Sequence, residues 1–189
     1  MPRAGLTRDR IAAVAAEIAD EAGLERLTLA AVASRLGVSG PAIYKHLAGL
    51  PELQRDVAVL GLRELTAALS AATVGRAGTD ALHGLANAYR AYGREHPGRL
   101  AASVRAPAPG DAEHDAASEA ALAVLVAVLR GYGLAEADQI DAIRVIRAAL
   151  HGFATLETAG GFGLPQDVDA TYARYVDTLD AGLRSWGSK

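Results

Sequence analysis

The sequence contains no cysteine, which removes disulfides, thiolate metal sites and cysteine nucleophiles at once. Aromatic residues are scarce at 5%, with two phenylalanines and one tryptophan, although apolar residues of all kinds reach 51%. Alanine is the commonest residue and β-branched runs are short, so strong helix formers dominate and an all-α protein is expected. Long hydrophobic runs are also missing. The longest, Ala120 to Leu129, is too short to span a bilayer, and no secretory leader pattern precedes Leu6. A soluble, cytoplasmic chain with no membrane partner is therefore expected. There is no excess of positive charge either, the net value being −3. Residues 1–60 balance seven Lys/Arg against seven Asp/Glu, but the acids gather at Glu17, Asp20, Glu21 and Glu25. Arg3, Arg8, Arg10, Arg35, Lys45 and Arg55 lie outside that cluster, in a position to form one basic face. Phosphate contact requires only such a local footprint.

What is present is a stretch from Thr28 to Leu47, TLAAVASRLGVSGPAIYKHL. It reads as a helix, a glycine turn and a second short helix bearing basic and aromatic side chains. Ala33, Gly37 and Ile43 supply a small residue where helices touch, a residue tolerating positive φ at the turn, and an apolar residue on the buried side of the second helix. A second helix displayed this way fits the major groove of DNA.

Around this motif the chain divides by its caps and breaks. Thr7 opens a helix in which Ile11, Val14, Ile18 and Ala22 recur at helical spacing, and Gly23 closes it. Thr28 caps the next helix and Ser39 the third, which is expected to run to about Leu47. Ile11, Val14, Ile18, Leu29, Val32, Leu36, Ile43 and Leu47 should form the core of this three-helix head, residues 1–50 extending into a linking helix to about 67. Residues 51–189 form the body, of about six helices: 51–72, from Thr79 to before His96–Pro97, about 98–104, 113–131, 136–158 and 168–186. The loops APAPGDAEHD and GGFGLP separate them. The last helix places Tyr172, Tyr175, Val176, Leu179 and Leu183 along one side, and the last two long helices have apolar stripes suited to helix-on-helix burial.

The head resembles the N-terminal domain of the TetR family of transcriptional regulators, through IAAVAAEIADEAGLERLTLAAVASRLGVS and the recognition string GPAIYKHL. The segment RAALHGFATLETAGGFGLP is similar to TetR ligand domains that carry a His-Gly pair in the penultimate long helix. The resemblance implies a homodimer joined through the last two long helices, with two heads entering successive major grooves of pseudo-palindromic double-stranded operator DNA. It also implies repression relieved by a small-molecule effector. The DNA-contacting positions it implies are Thr28, Ser39, Gly40, Pro41, Ala42, Tyr44, Lys45 and His46. Thr28 and Ser39 combine capping with phosphate contact, Tyr44 and His46 position the backbone, and Lys45 reaches guanine acceptors or a phosphate. Gly40 and Ala42 leave room for close approach or thymine-methyl contact. One departure stands out: Leu50 occupies a place where the family often has a phosphate-binding lysine, and Arg55, Arg3 or Arg8 are the candidates to replace it.

For the effector, the candidate lining residues are Leu62, Leu65, Leu85, Tyr89, Tyr92, Leu122, Val126, His151 and Phe153. His151 has three open roles: packing at the dimer interface, pairing with a backbone group, or facing the ligand. Gly152 suggests a close helix crossing. A DNA-binding protein that senses no small molecule is the alternative. A metal-dependent enzyme is the remote one, on His114 among Asp111, Glu113, Asp115 and Glu119. Acids gather at helix N-termini for dipole reasons, and no HExxH, phosphate loop or serine elbow is present, so neither metal, cofactor nor catalysis is assigned.

Overall fold

The computed structural model describes residues 5–187. Among these the chain is all-helical: α1 (Arg8–Ala22), a 3-10 turn (Leu24–Arg26), α2 (Leu29–Leu36), α3 (Gly40–Ile43), α4 (Leu50–Thr73), α5 (Gly78–Glu95), α6 (Pro97–Ser103), α7 (Ala112–Leu129), a second 3-10 turn (Arg130–Tyr132), α8 (Glu136–Thr158) and α9 (Val168–Gly187). No single described helix is long and apolar enough to cross a membrane. The chain forms two compact units, one of Met1–Glu64 with Glu95–Ser118 and the other of Leu65–Arg94 with Glu119–Lys189. The head thus shares its unit with α6 and the start of α7, a segment the sequence pattern assigns to the body.

In the first unit, α1 begins at Thr7, whose hydroxyl oxygen accepts from Arg10 N–H, and stops at Gly23 with φ +92°. Ile11, Ile18, Val32, Ile43 and Leu47 enter the core as their spacing predicts, while Val14, Leu29 and Leu36 pack against it half-buried. Leu27, Leu53, Val57 and Ala102 of α6 complete that core and carry no local signal that they would. Ala102 is there because α6 docks on α1. Gly98 lies so close to the Ala19–Asp20 backbone that a Cβ would run into the Ala19 carbonyl. The Asp20 carboxylate accepts from Arg99 N–H at 2.9 Å, and Arg99 Nη1 reaches Glu64 of α4 at 3.0 Å.

In the second unit, the α9 stripe turns inward: Tyr172, Val176 and Leu183 are buried within the chain itself. Within the unit, Tyr172 O–H donates to the Ala86 carbonyl of α5 and its ring meets Phe153 of α8 at 4.7 Å. Arg90 of α5, 8% exposed, binds Glu157 of α8 at 2.8 and 2.6 Å and Asp169 of α9 at 2.7 Å. Its guanidinium lies 4.6 Å from the Tyr172 ring and 5.5 Å from Phe153, a charge placed over aromatic faces. Asp180 gathers a second clip, accepting from Tyr132 O–H at 2.6 Å and Thr79 O–H at 2.9 Å.

Because the crowding at Gly98 is against backbone, α1 or α6 must move to admit a methyl group. Gly98→Ala should therefore lower the unfolding free energy by about 1–3 kcal/mol in urea titrations; an unchanged midpoint would contradict this packing.

Candidate nucleic-acid interface

The turn between α2 and α3 is built as its residues require. Thr28 is extended (φ −135°), and its hydroxyl oxygen accepts from Ala31 N–H at 3.1 Å. This satisfies one orphan donor of α2 and leaves the exposed O–H proton to donate elsewhere. Gly37 ends α2 in the left-handed region at φ +66°, its N–H bonding to the carbonyls of Ala33 and Ser34, with open space where a Cβ would be. Conformation rather than crowding selects glycine here.

Two features of the second helix differ from expectation. Ser39 occupies the N-cap position of α3 but its side chain makes no capping bond. Such a cap serves the N–H groups two and three residues on. Pro41 has none, and Ala42 N–H bonds to the Ser39 backbone carbonyl at 2.9 Å. The Ser39 hydroxyl is exposed and unneeded by the helix. The helix also ends at Ile43 rather than near Leu47: the N–H groups of His46 and Leu47 both bond to the Ile43 carbonyl, and the chain continues as tight turns. Ile43 and Leu47 face the core, leaving Gly40, Pro41, Tyr44 and Lys45 exposed and Ala42 and His46 half-exposed. Tyr44 presents 60% of its surface to solvent. All eight predicted contact positions are therefore at least partly accessible, on one short stretch and the start of α2.

The expected basic face is largely engaged inside the protein. Arg35 pairs with Glu21 at 2.7 Å. Arg8 holds Asp56 and Glu52, and Arg55 binds Asp111, Glu113 at 2.6 Å and Asp56 at 3.1 Å. These carboxylates hold both guanidinium groups in the charged form, their pKa raised first by the side-chain bonds to Asp56 and Asp111 respectively. Both arginines are thus engaged by carboxylates of this chain, and Arg3 lies outside the described residues. Lys45 is exposed and forms no ion pair among the described residues. Asp111 and Glu113, candidates for the remote metal reading, are the carboxylates that hold Arg55. Asp111 also caps α7 by accepting His114 N–H at 3.1 Å. His114 itself is buried, 1% exposed.

The effector candidates scatter. Leu62 is buried in the first unit; Leu65, Leu85, Tyr89, Tyr92 and Phe153 are buried in the second. Leu122 is 40% exposed, on a helix whose apolar residues follow no clear helical period. Val126 is half-buried. A hydrogen bond of 3.1 Å joins the Tyr89 hydroxyl to His151 Nδ1. This pairs His151 with a side chain, not with the backbone group the sequence offered. Burial pushes the Tyr89 hydroxyl up to about 12 and the His151 imidazole below its ordinary value, so both stay neutral at physiological pH. Phe153 stacks in a cluster with Phe162 at 4.8 Å and Tyr172 at 4.7 Å between ring centroids. A half-open cavity of about 320 Å³ lies beside it, walled by the loop before α9, including Phe162, Leu164 and Gln166, and by Val168 and Thr171 of the first turn of α9. None of the nine candidates lines that cavity. Nothing among the described residues lies within 4 Å of where a Cβ on Gly152 would sit, so none of them packs closely on it.

Two measurements check these placements. Lys45→Ala should weaken duplex binding and reduce the slope of log affinity against log salt by about one per site; an unchanged slope in anisotropy titrations would remove Lys45 from the interface. For His151, a lowered folded-state pKa means stability is present above the unfolded value and is lost as pH falls through the folded one. Its imidazole should titrate below 6.5 by NMR, and a midpoint at or above 6.5 would contradict its burial beside Tyr89.

The comparisons with known proteins agree with this geometry. Residues 11–48 match the profile of bacterial regulatory proteins of the tetR family, and residues 82–179 match the tetracyclin repressor-like C-terminal domain. An uncharacterized HTH-type transcriptional regulator of Mycobacterium tuberculosis, Rv0681, is 38% identical over 95% of this chain and 83% of its own length. YobS of Bacillus subtilis, another uncharacterized HTH-type regulator, is 31% identical over 96% and 95%. Among solved structures, a TetR variant from Acinetobacter baumannii in complex with minocycline shares the fold at a TM-score of 0.72, with 21% identity over 98% of this chain and all of that one. With the exposed α2–α3 turn, these matches establish that the chain is a DNA-binding transcriptional regulator belonging to the TetR family.

Proposed function

We propose that the chain is a homodimeric repressor that leaves its operator when a small molecule binds. The observation that carries this reading is the presentation of Tyr44 and Lys45 on the solvent side of a segment whose other side, Ile43 and Leu47, is locked in the core. Thr28, Ser39, Tyr44 and His46 offer short-reach donors for phosphates, and Lys45 reaches a base edge or phosphate. The protein acts as a cytoplasmic binder rather than a catalyst.

Dimerisation through α8 and α9 is supported by what those helices leave exposed. Val145 and Leu156 of α8 are 42% and 54% exposed, and Gly152 lies between them on the same face with nothing against it. Ala170, Ala173 and Ala181 of α9 are likewise exposed and small enough for close helix approach. Sensing is supported by the neutral Tyr89–His151 pair, a polar handle in apolar surroundings. The match to a repressor-like C-terminal domain, and minocycline held by a protein of the same fold, point the same way. Release requires only that the effector favour a head spacing that fits DNA poorly by a few kcal/mol.

In vitro selection of bound duplexes with the full chain tests the architecture. Two half-sites about one turn, roughly 34 Å, apart and bound by a dimer are expected. A single non-palindromic site bound by monomer would contradict the proposal, and no release by any compound across metabolite and antibiotic panels would favour a regulator without a small-molecule signal.

A further inference from the structure

Arg8 is the first residue of α1, and its guanidinium turns toward the start of α4. Nε and Nη2 donate to the two oxygens of Asp56 at 2.6 and 2.7 Å, a bidentate fork, and Nη1 meets Glu52 Oε1 at 2.6 Å. The other Glu52 oxygen, Oε2, accepts the N–H of Ala48 at 2.6 Å. Ala48 directly follows Leu47, the last core residue of the 40–47 segment. A continuous run of charge-assisted bonds therefore joins the beginning of α1 to the turn that closes the candidate reading segment. The Ala48 bond is the first cause holding the Glu52 carboxyl below its ordinary value, so the carboxylate stays charged and keeps both partners.

The segment needs such an anchor. Four helical residues make too few internal hydrogen bonds to set their own direction. Gly37 fixes one end through its left-handed turn, Ile43 and Leu47 fix depth in the core, and the Ala48 bond fixes the other end. Side chains that read a groove must be held to a fraction of an ångström by supporting contacts.

We propose that Arg8 and Glu52 are positioning residues for DNA reading: they set the angle at which residues 40–47 enter the groove, acting through Ala48 and touching no DNA themselves. This rests on the reading that residues 40–47 enter the groove.

The test uses the full chain, the duplex it selects from a random library, and a random-sequence duplex as control, titrated by anisotropy over a salt series. Arg8→Ala and Glu52→Gln should each weaken the selected duplex about tenfold. Binding to the random duplex and the salt slope should not change, because no phosphate contact is removed. The double variant should be no weaker than the weaker single, and Arg8→Lys should recover part of the loss. Glu52→Gln can keep an amide oxygen for Ala48 but then turns its NH2 toward Arg8, breaking the link between the two residues while leaving Arg8 on Asp56, so it decides the matter if Arg8→Ala loses its helical circular dichroism. A reduced salt slope in Arg8→Ala would make Arg8 a phosphate contact and overturn the proposal. So would undiminished affinity of Glu52→Gln for the selected duplex. Lys45→Ala separates the two levels. If it alters neither duplex, the reading of 40–47 fails and takes this inference with it. If it alters both while Arg8 and Glu52 variants bind normally, only the positioning role fails.

Discussion

Much of the first unit depends on a single buried carboxylate. Asp56 is 7% exposed, and a charge withdrawn from water that far costs several kcal/mol unless it is answered. Arg8 answers it from α1 and Arg55 from its own helix, and each arginine then recruits further acids: Glu52 for Arg8, and Asp111 and Glu113 for Arg55. Arg63 closes the run on Glu113 at 3.0 Å. The starts of α1 and α7 are thereby registered against the first turns of α4. The apolar core holds the same elements together without direction, since burial is roughly proportional to area. The ion network supplies the direction.

That network explains why basic residues near the motif overstate the footprint available to phosphate. Arg8, Arg35 and Arg55 have partners within the chain, so the basic residues of 1–60 do not gather on one face left for phosphate. The proposed reading of DNA then relies on few charges and on short donors around the turn. A head built so is sensitive to geometry, because little nonspecific attraction remains to compensate for a misplaced side chain.

The parts legible in the sequence were those set by local chemistry. Thr28 as a cap, Gly37 in the left-handed region, Gly23 as a helix stop and Ile43 as the buried anchor each follow from residue type and spacing within a few positions. Ser39 misleads because its neighbour Pro41 removes the N–H it would have served, and the backbone of Ser39 takes the next. The pairing of Arg8 with Asp56, 48 residues away, and of Arg55 with Asp111, 56 away, leaves no trace in any local pattern. The same holds for Gly98, which reads as an ordinary glycine after proline and proves to be where α6 meets the α1 backbone. In the second unit, period revealed that α9 has a buried face but not what buries it. On α7 there was no period by which to orient Leu122, which is 40% exposed. Family resemblance supplied what periodicity could not, the identification of the 28–47 stretch as a reading head.

Reading an operator through the 28–47 stretch requires that stretch to meet DNA. Amide hydrogen exchange of the full chain, with and without the duplex it selects, measures this directly. Added duplex should slow exchange across residues 28–48. Slowing confined to residues 119–187, with the head unchanged, would contradict it.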